Sequence, residues 1–159
     1  MTDISSGLDN PAKRNFSGKV KLFRSLKEGF KDGEQLRDFI YVEDVCKVMN
    51  WMAESMLNTR LNESFGQGQW STAKNGIYNL GTGKARTFIE LVTPIFSAMN
   101  LPVNIEFFDM PEDIRDKYQY FTEADMTKLK AAGYREDLSP VTIGVGDYVK
   151  NYLMPQKFY

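Results

Sequence analysis

The stretch "IYNLGTGKARTF", Ile77 to Phe88, decides how the chain is read. An apolar run leads into two glycines around a threonine, then a lysine, and then a stretch suited to helix. Such a sequence is either a phosphate-holding loop or a tight turn between two elements. A P-loop requires G-x-x-x-x-G-K-[ST], because backbone amides wrap the phosphates and the hydroxyl binds magnesium. Here Ala85 follows Gly83-Lys84, and Tyr78 stands five residues before Gly83. A dinucleotide fingerprint requires G-x-G-x-x-G. Gly81 and Gly83 satisfy its first half, but Arg86 takes the third position, and the pairs Gly66/Gly68 and Gly144/Gly146 fail at the same place. Thr87 and Glu90, in contrast, form a T-x-x-E capping box that starts a helix directly after the turn. The turn reads as structural, with Lys84 and Arg86 flanking a helix N-terminus that favours anions.

Outward from this stretch, the spacing predicts short strands near 19–23, 37–42, 76–80 and 103–108, and helices near 43–57, 88–99, 123–132 and 140–153. Val45, Val48, Met49, Met52 and Met56 form one core-facing stripe, and Cys46 reads as a small buried thiol. Pro94 is expected to kink or shorten its helix. Thr122 reads as an N-cap, Gly133 as a C-terminal stop, and Ser139-Pro140 as the opening of the last helix. "LKEGFKDGEQ" is a charged loop, and residues 58–76 read as a polar surface insertion. Residues 1–18 are polar and aperiodic and read as a flexible lead-in, 19–153 as the folded part, and 154–159 as a tail.

The chain has 159 residues, enough for one domain with a proper core. Lys plus Arg is 20 and Asp plus Glu is 21, so the net charge of -1 offers no electrostatic case for nucleic acid or anionic membrane. No apolar stretch approaches the roughly 20 residues of a membrane span. The first ten residues lack the basic and apolar regions of a secretory signal, and the single cysteine suits a reducing cytoplasm. With 0 histidines, Ser-His-Asp and Cys-His catalysis and the usual histidine zinc sites are excluded.

Five segments carry more than periodicity: "KLFRS", "LRDFIYVEDV", "GIYNLGTGKARTF", "FFDMPEDIRDKYQYFTEADMTKLKAAGY" and "GVGDYVKNYL". Together they resemble the ADP-L-glycero-D-manno-heptose 6-epimerase family of the extended short-chain dehydrogenase/reductase superfamily, from about Lys19 to Leu153. "RDFIYVEDV" and "YNLGTG" recur widely among nucleotide-sugar epimerases and dehydratases; "DKYQYFTEADMTKLKAAGY" is more particular to the heptose epimerases. The resemblance implies an α/β fold, the C-terminal part of an extended short-chain dehydrogenase/reductase that lacks the N-terminal Rossmann glycine motif.

The family's NADP-binding motif and Tyr-x-x-x-Lys pair have no counterpart. None of Tyr41, Tyr78, Tyr118, Tyr120, Tyr134, Tyr148 and Tyr152 has a lysine four residues later. A second catalytic base, a lysine beside a histidine, finds no place in a chain without histidine. The resemblance implies a redox epimerisation at C6 of an ADP-heptose with NADP as cofactor, in the supply of lipopolysaccharide precursors. It leaves this chain the substrate-binding end and no catalytic residue. By motif position it assigns Phe23, Arg24, Ser25 and Leu26 to the nucleotide portion of the substrate, Arg37 to the diphosphate and Tyr118 to a phenol hydrogen bond. A planar guanidinium suits diphosphate, and a phenol both donates and accepts. The competing readings are a surface ion pair of Arg37 with Asp38, Glu43 or Asp44, and half-buried aromatics for Tyr118 and Tyr120. Implied partners are the ADP-sugar, and a separate N-terminal half or a homo-oligomer. In the alternative function the chain is a non-catalytic module that docks with an NADP-binding half.

Overall fold

The computed structural model describes residues 18–65 and 76–157, with side chains omitted for 56–65. The chain divides into two units. The first comprises the described parts of Met1–Arg37, Arg86–Phe121 and Pro140–Tyr159; the second comprises those of Asp38–Ala85 and Thr122–Ser139.

In the first unit, β1 (Val20–Phe23) and β4 (Ile105–Phe108) pair in parallel, in register from Val20 opposite Ile105 to Phe23 opposite Phe108. A parallel pair needs a crossover, and the chain between the strands supplies it. The Phe23 and Phe108 rings lie 4.9 Å apart across the pair. On its solvated side Glu106 receives Lys19 at 2.6 Å and Lys21 at 3.8 Å. β2 (Leu36–Arg37) pairs antiparallel with β3 (Arg86–Thr87), and Leu36 also bridges Phe121.

Helix α2 (Phe88–Ala98) starts with the capping box expected from the sequence. The Thr87 hydroxyl accepts the Glu90 amide at 3.1 Å, and the Glu90 carboxylate accepts the Thr87 amide at 2.8 Å. Pro94 neither ends nor shortens the helix, although it cannot donate to the Glu90 carbonyl. Pro94 is buried with Val92, Phe96 and Ala98, so apolar packing retains the turn that lacks one bond. Ala98 and Met99 form a cluster with Val149, flanked by Ile95, Leu101, Val145 and Met154. These contacts join α2 to α5 (Val141–Tyr148) and to the π-helical turn Val149–Leu153 that continues it. Pro140 stands at the cap of α5; Ser139 makes no side-chain cap there. The acidic and basic residues after β4 form a short exposed helix, α3 (Glu112–Arg115).

The second unit is built on α1 (Val42–Phe65), longer than its expected end at residue 57. The expected insertion is thus helical to Phe65, and residues 66–75 lie outside the described set. Its core is Val48, Met126, Leu129 and Tyr134, with Trp51, Met52, Tyr78, Leu80, Ala124 and Leu138 packed against it. The expected stripe is therefore shifted. Trp51 belongs to it, Met49 is 61% exposed, and Cys46 is exposed rather than buried.

Two expected strands contract here. Of the expected strand 37–42 only Arg37 lies in a strand, β2, which begins at Leu36, and residues 76–80 form none. They are held by side chains instead: Lys128 donates to the Ile77 carbonyl at 2.7 Å and lies 4.7 Å from the Tyr78 ring. The helix expected from 123 is α4 (Thr127–Ala131), and its first amide is taken by Asp125 at 2.9 Å, not by Thr122. Asp125 is a better local acceptor than a hydroxyl four residues too early. No helix among the described residues is long and apolar enough to cross a membrane.

Candidate functional site

Two sites grow out of the opening stretch and of "RDF", one in each unit. The second unit resolves the glycine turn. Thr82 and Gly83 present backbone and hydroxyl donors to one concavity, and the Asp38 carboxylate fills it, while the Gly81 amide donates to Met126 Sδ at 3.4 Å. Asp38 Oδ1 accepts the Thr82 amide at 2.7 Å and also the Thr82 hydroxyl. Oδ2 accepts the Gly83 amide at 2.8 Å and the Ala124 amide at 3.1 Å. Successive amides in a turn make an anion-binding nest, and here the anion is internal.

Burial pushes the Asp38 carboxyl up, but the Thr82 hydroxyl and the amides of Ala124, Thr82 and Gly83 outweigh it and hold the group below its ordinary value. Both glycines are needed. Gly83 has φ +68, and a Cβ at Gly81 would meet Asp38 Oδ2 and lie 2.7 Å from the Ala124 Cβ. The turn cannot also grip a cofactor pyrophosphate, because its donors are used. The described residues therefore do not supply an NADP phosphate cradle at this place.

The same unit holds a second buried carboxylate. Asp44 is fully buried, accepts the Ser139 amide at 2.6 Å and pairs with Lys47 at 2.9 Å. Burial raises its pKa, and the Lys47 and Ser139 bonds outweigh that and lower it.

In the first unit the six sequence-derived residues fall into two groups. Arg37, Tyr118 and Phe23 come together. The Arg37 guanidinium carbon lies 5.2 Å from the Tyr118 ring centre, and the Phe23 ring meets the Tyr118 ring edge-on at 6.0 Å. Arg37 Nη1 donates to the Leu36 carbonyl at 2.8 Å, and Nη2 donates to the Gln119 carbonyl. Arg24, Arg86 and Arg115 each face a carboxylate. Arg37 has no carboxylate partner among the described residues, so the expected competing ion pair is not made. Its position fixes the fork without neutralising it. Burial raises the Tyr118 phenol pKa, Arg37 pulls against that, and Tyr120 adds to it; the net shift is upward. The phenol stays a neutral donor and acceptor.

Arg24, Ser25 and Leu26 follow β1 into a loop with its own internal bonds. Arg24 is turned to Asp109 at 3.1 Å and Asp32 at 3.8 Å. The Ser25 amide donates to Asp32 at 2.8 Å. Leu26 is 56% exposed, and its amide donates to the Tyr120 hydroxyl at 3.0 Å. Arg24 is thus charge-satisfied within the protein, unlike Arg37. The sequence reading named Asp38 only as a surface partner of Arg37 and missed its place in the glycine turn, and it overlooked Lys27 and the tie from Tyr120 to Leu26. For Asp38, the signal was the acidic residue of "RDF" itself together with a glycine turn lacking an anion. Among the described residues no acidic or cysteine cluster forms a metal site.

Residues 11–68 match the NAD dependent epimerase/dehydratase family. The chain is 45% identical to the ADP-L-glycero-D-manno-heptose-6-epimerase of Fusobacterium nucleatum subsp. nucleatum, over 94% of this chain and 42% of that protein. It is 43% identical to the enzyme of the same name from Nitratidesulfovibrio vulgaris strain DP4, over 86% of this chain and 37% of that protein. The chain thus spans about two fifths of these relatives. Among solved structures, RMD from Pseudomonas aeruginosa complexed with NADPH superposes with a TM-score of 0.61 at 10% identity, over 92% of this chain and 39% of that one. That likeness agrees with the α/β fold implied by the motifs. The chain is thus similar over part of its length to the NAD dependent epimerase/dehydratase family, and over most of its length to about two fifths of the ADP-L-glycero-D-manno-heptose-6-epimerases.

Proposed function

We propose that this chain is the substrate-binding, C-terminal portion of an ADP-heptose 6-epimerase, and that it binds ADP or an ADP-sugar without epimerising it alone. The observation that carries the reading is Arg37, a guanidinium held by two carbonyls and an aromatic face with no carboxylate partner among the described residues. A preorganised, uncompensated fork is suited to a diphosphate, since little rotamer freedom is lost on binding. Phe23 and Tyr118 give the ligand an aromatic wall beside it. Arg24, Ser25 and Leu26 border the nucleotide portion in this reading. The cofactor of the whole enzyme is NADP, held by a part of the fold outside this chain, and the compartment is the cytoplasm. Titration of the chain with ADP tests the binding. No affinity, or an affinity unaffected by Arg37→Ala, rejects the phosphate role; turnover of ADP-heptose with added NADP rejects the claim of inactivity.

A second reading, a module completed by a separate NADP-binding half or by self-association, has its own support. Residues 38–41 and 77–80 are strand-like in sequence yet form no strand, and Ile77 is 89% exposed. A sheet contributed by another polypeptide would give both segments a ladder and cover Ile77. Size-exclusion of the chain alone and mixed with a candidate NADP-binding half separates the two readings.

A further inference from the structure

The loop after β1 holds a second cation that the resemblance does not assign. Lys27 Nζ lies 5.6 Å from the Phe30 ring centre and 5.5 Å from the Tyr120 ring centre. Like Arg37, Lys27 has no carboxylate partner among the described residues, although Lys19, Lys21 and Arg24 nearby in sequence all have one. The two cations stand on one continuous aromatic series. Tyr120 meets Phe30 at 5.3 Å and Tyr118 edge-on at 5.4 Å, and Tyr118 carries Arg37. A ring face attracts a cation but leaves its charge available to an anion. The Tyr120 hydroxyl accepts the Leu26 amide at 3.0 Å, which fixes the backbone that carries Lys27.

We propose that Lys27 is a second phosphate-contacting residue of the nucleotide site, and that Tyr120 is its positioning residue. The inference rests on the nucleotide-binding reading above and extends it. A ligand with two linked phosphates and a flat base suits two cations joined by a row of rings, whereas a lone sugar or a monoanion would use one. The role of Lys27 is electrostatic, so it acts on the phosphates and not on the base. Tyr120 acts only through the loop, so its hydroxyl matters only while Lys27 is present.

The test is calorimetric titration of the 159-residue chain with ADP and, separately, adenosine, using wild type, Lys27→Ala, Tyr120→Phe, the double variant and Arg37→Ala. Lys27→Ala is expected to weaken ADP by about fivefold, between a surface ion pair and a charged hydrogen bond, and to leave adenosine unchanged. Tyr120→Phe is expected to weaken ADP as well, with no further loss when added to Lys27→Ala. Lys27→Ala binding ADP like wild type, while Arg37→Ala does not, overturns the inference and leaves the Arg37 reading standing. Equal losses for ADP and adenosine overturn the phosphate role of Lys27. Additive losses in the double variant overturn the positioning role of Tyr120. Absence of ADP binding by wild type overturns the inference together with the reading beneath it.

Discussion

Asp38 accepts the Thr82 backbone amide at 2.7 Å, and this one bond changes what the glycine turn is. The same carboxylate also takes the amides of Gly83 and Ala124 and the Thr82 hydroxyl. A turn that resembles an anion site in sequence is an anion site in structure, occupied from within the chain. Its donors organise the second unit instead of a nucleotide.

Asp38→Asn is accordingly expected to destabilise the fold by about 2 kcal/mol, the scale of a charged hydrogen bond lost, with an amide nitrogen now facing backbone donors. Asp38→Ala removes every acceptor and should cost more. Urea unfolding of the two variants checks this. A midpoint unchanged in Asp38→Asn would mean that the carboxylate is replaceable by any side chain of its shape.

The same carboxylate gives stability a pH dependence of defined sign. Asp38 and Asp44 both have folded-state pKa values below the ordinary carboxylate value. Between the folded and unfolded values the folded state binds fewer protons, so stability rises with pH through that window. Their contribution is complete above the unfolded value, about 4, and is lost as pH falls through the folded values. Unfolding midpoints measured from pH 6 down to pH 2 should show a steep acid limb. Asp38→Asn should flatten it; an unaltered limb would assign the acid sensitivity elsewhere.

Gly81→Ala tests the turn from its other side. The added methyl would meet Asp38 Oδ2 and lie 2.7 Å from the Ala124 Cβ, and both neighbours are held by the bonds just described. Overpacking of this kind costs about 1–3 kcal/mol. Combined with Asp38→Asn the two losses should fall short of additive, because the first change already frees the carboxylate position. Full additivity in denaturant titrations would show that the methyl is accommodated without moving Asp38.

The fold and the site were legible in the sequence to different depths. Local signals read well: the Thr87/Glu90 capping box is present, β1 begins one residue after its expected start, and the closing helix forms. Strands read less well because a strand is completed by its neighbour. The segment at 76–80 has strand composition and no ladder in this structure. Met49 was misplaced because the stripe of α1 was drawn through it, and Cys46 because a thiol in an apolar run reads as buried, while the packed face runs through Val48, Trp51 and Met52. In the site, the resemblance gave Arg37 and Tyr118 separate roles, and the sequence carried no signal that the Arg37 guanidinium lies 5.2 Å from the Tyr118 ring centre. The role of Asp38 in the turn escaped notice because its partners lie 44 and more residues away in the chain.

Tyr134 provides a prediction of the opposite sign. Its hydroxyl is buried with no hydrogen-bond partner among the described residues, and its ring meets Trp51 edge-on at 5.3 Å. Burial, with Glu136 and Asp44 beside it, raises the phenol pKa, so the orphan group is neutral and still pays desolvation. Tyr134→Phe keeps the ring contact and removes the orphan, so it should be neutral or stabilising by about 1 kcal/mol. Thermal unfolding measures it. A clear destabilisation would reveal a partner such as a buried water.

Arg37→Lys separates charge from fork. Lysine keeps the positive charge but cannot bond the Leu36 and Gln119 carbonyls together or lie flat on Tyr118. The variant should lose about 1 kcal/mol of stability, one ordinary hydrogen bond, in urea unfolding. If the ligand senses only charge, ADP affinity in Arg37→Lys should stay near wild type, and only Arg37→Ala should lose the 1.5–3 kcal/mol expected of a charged hydrogen bond. If two phosphate oxygens are gripped at once, Arg37→Lys should fall most of the way toward Arg37→Ala, because a point charge on a flexible stem does not reproduce the paired geometry. The paired geometry is the expected result, since the two carbonyls and the Tyr118 face hold the guanidinium in one orientation before any ligand arrives. Equal ADP affinity in all three proteins would return Arg37 to a purely structural tether between Leu36 and Gln119.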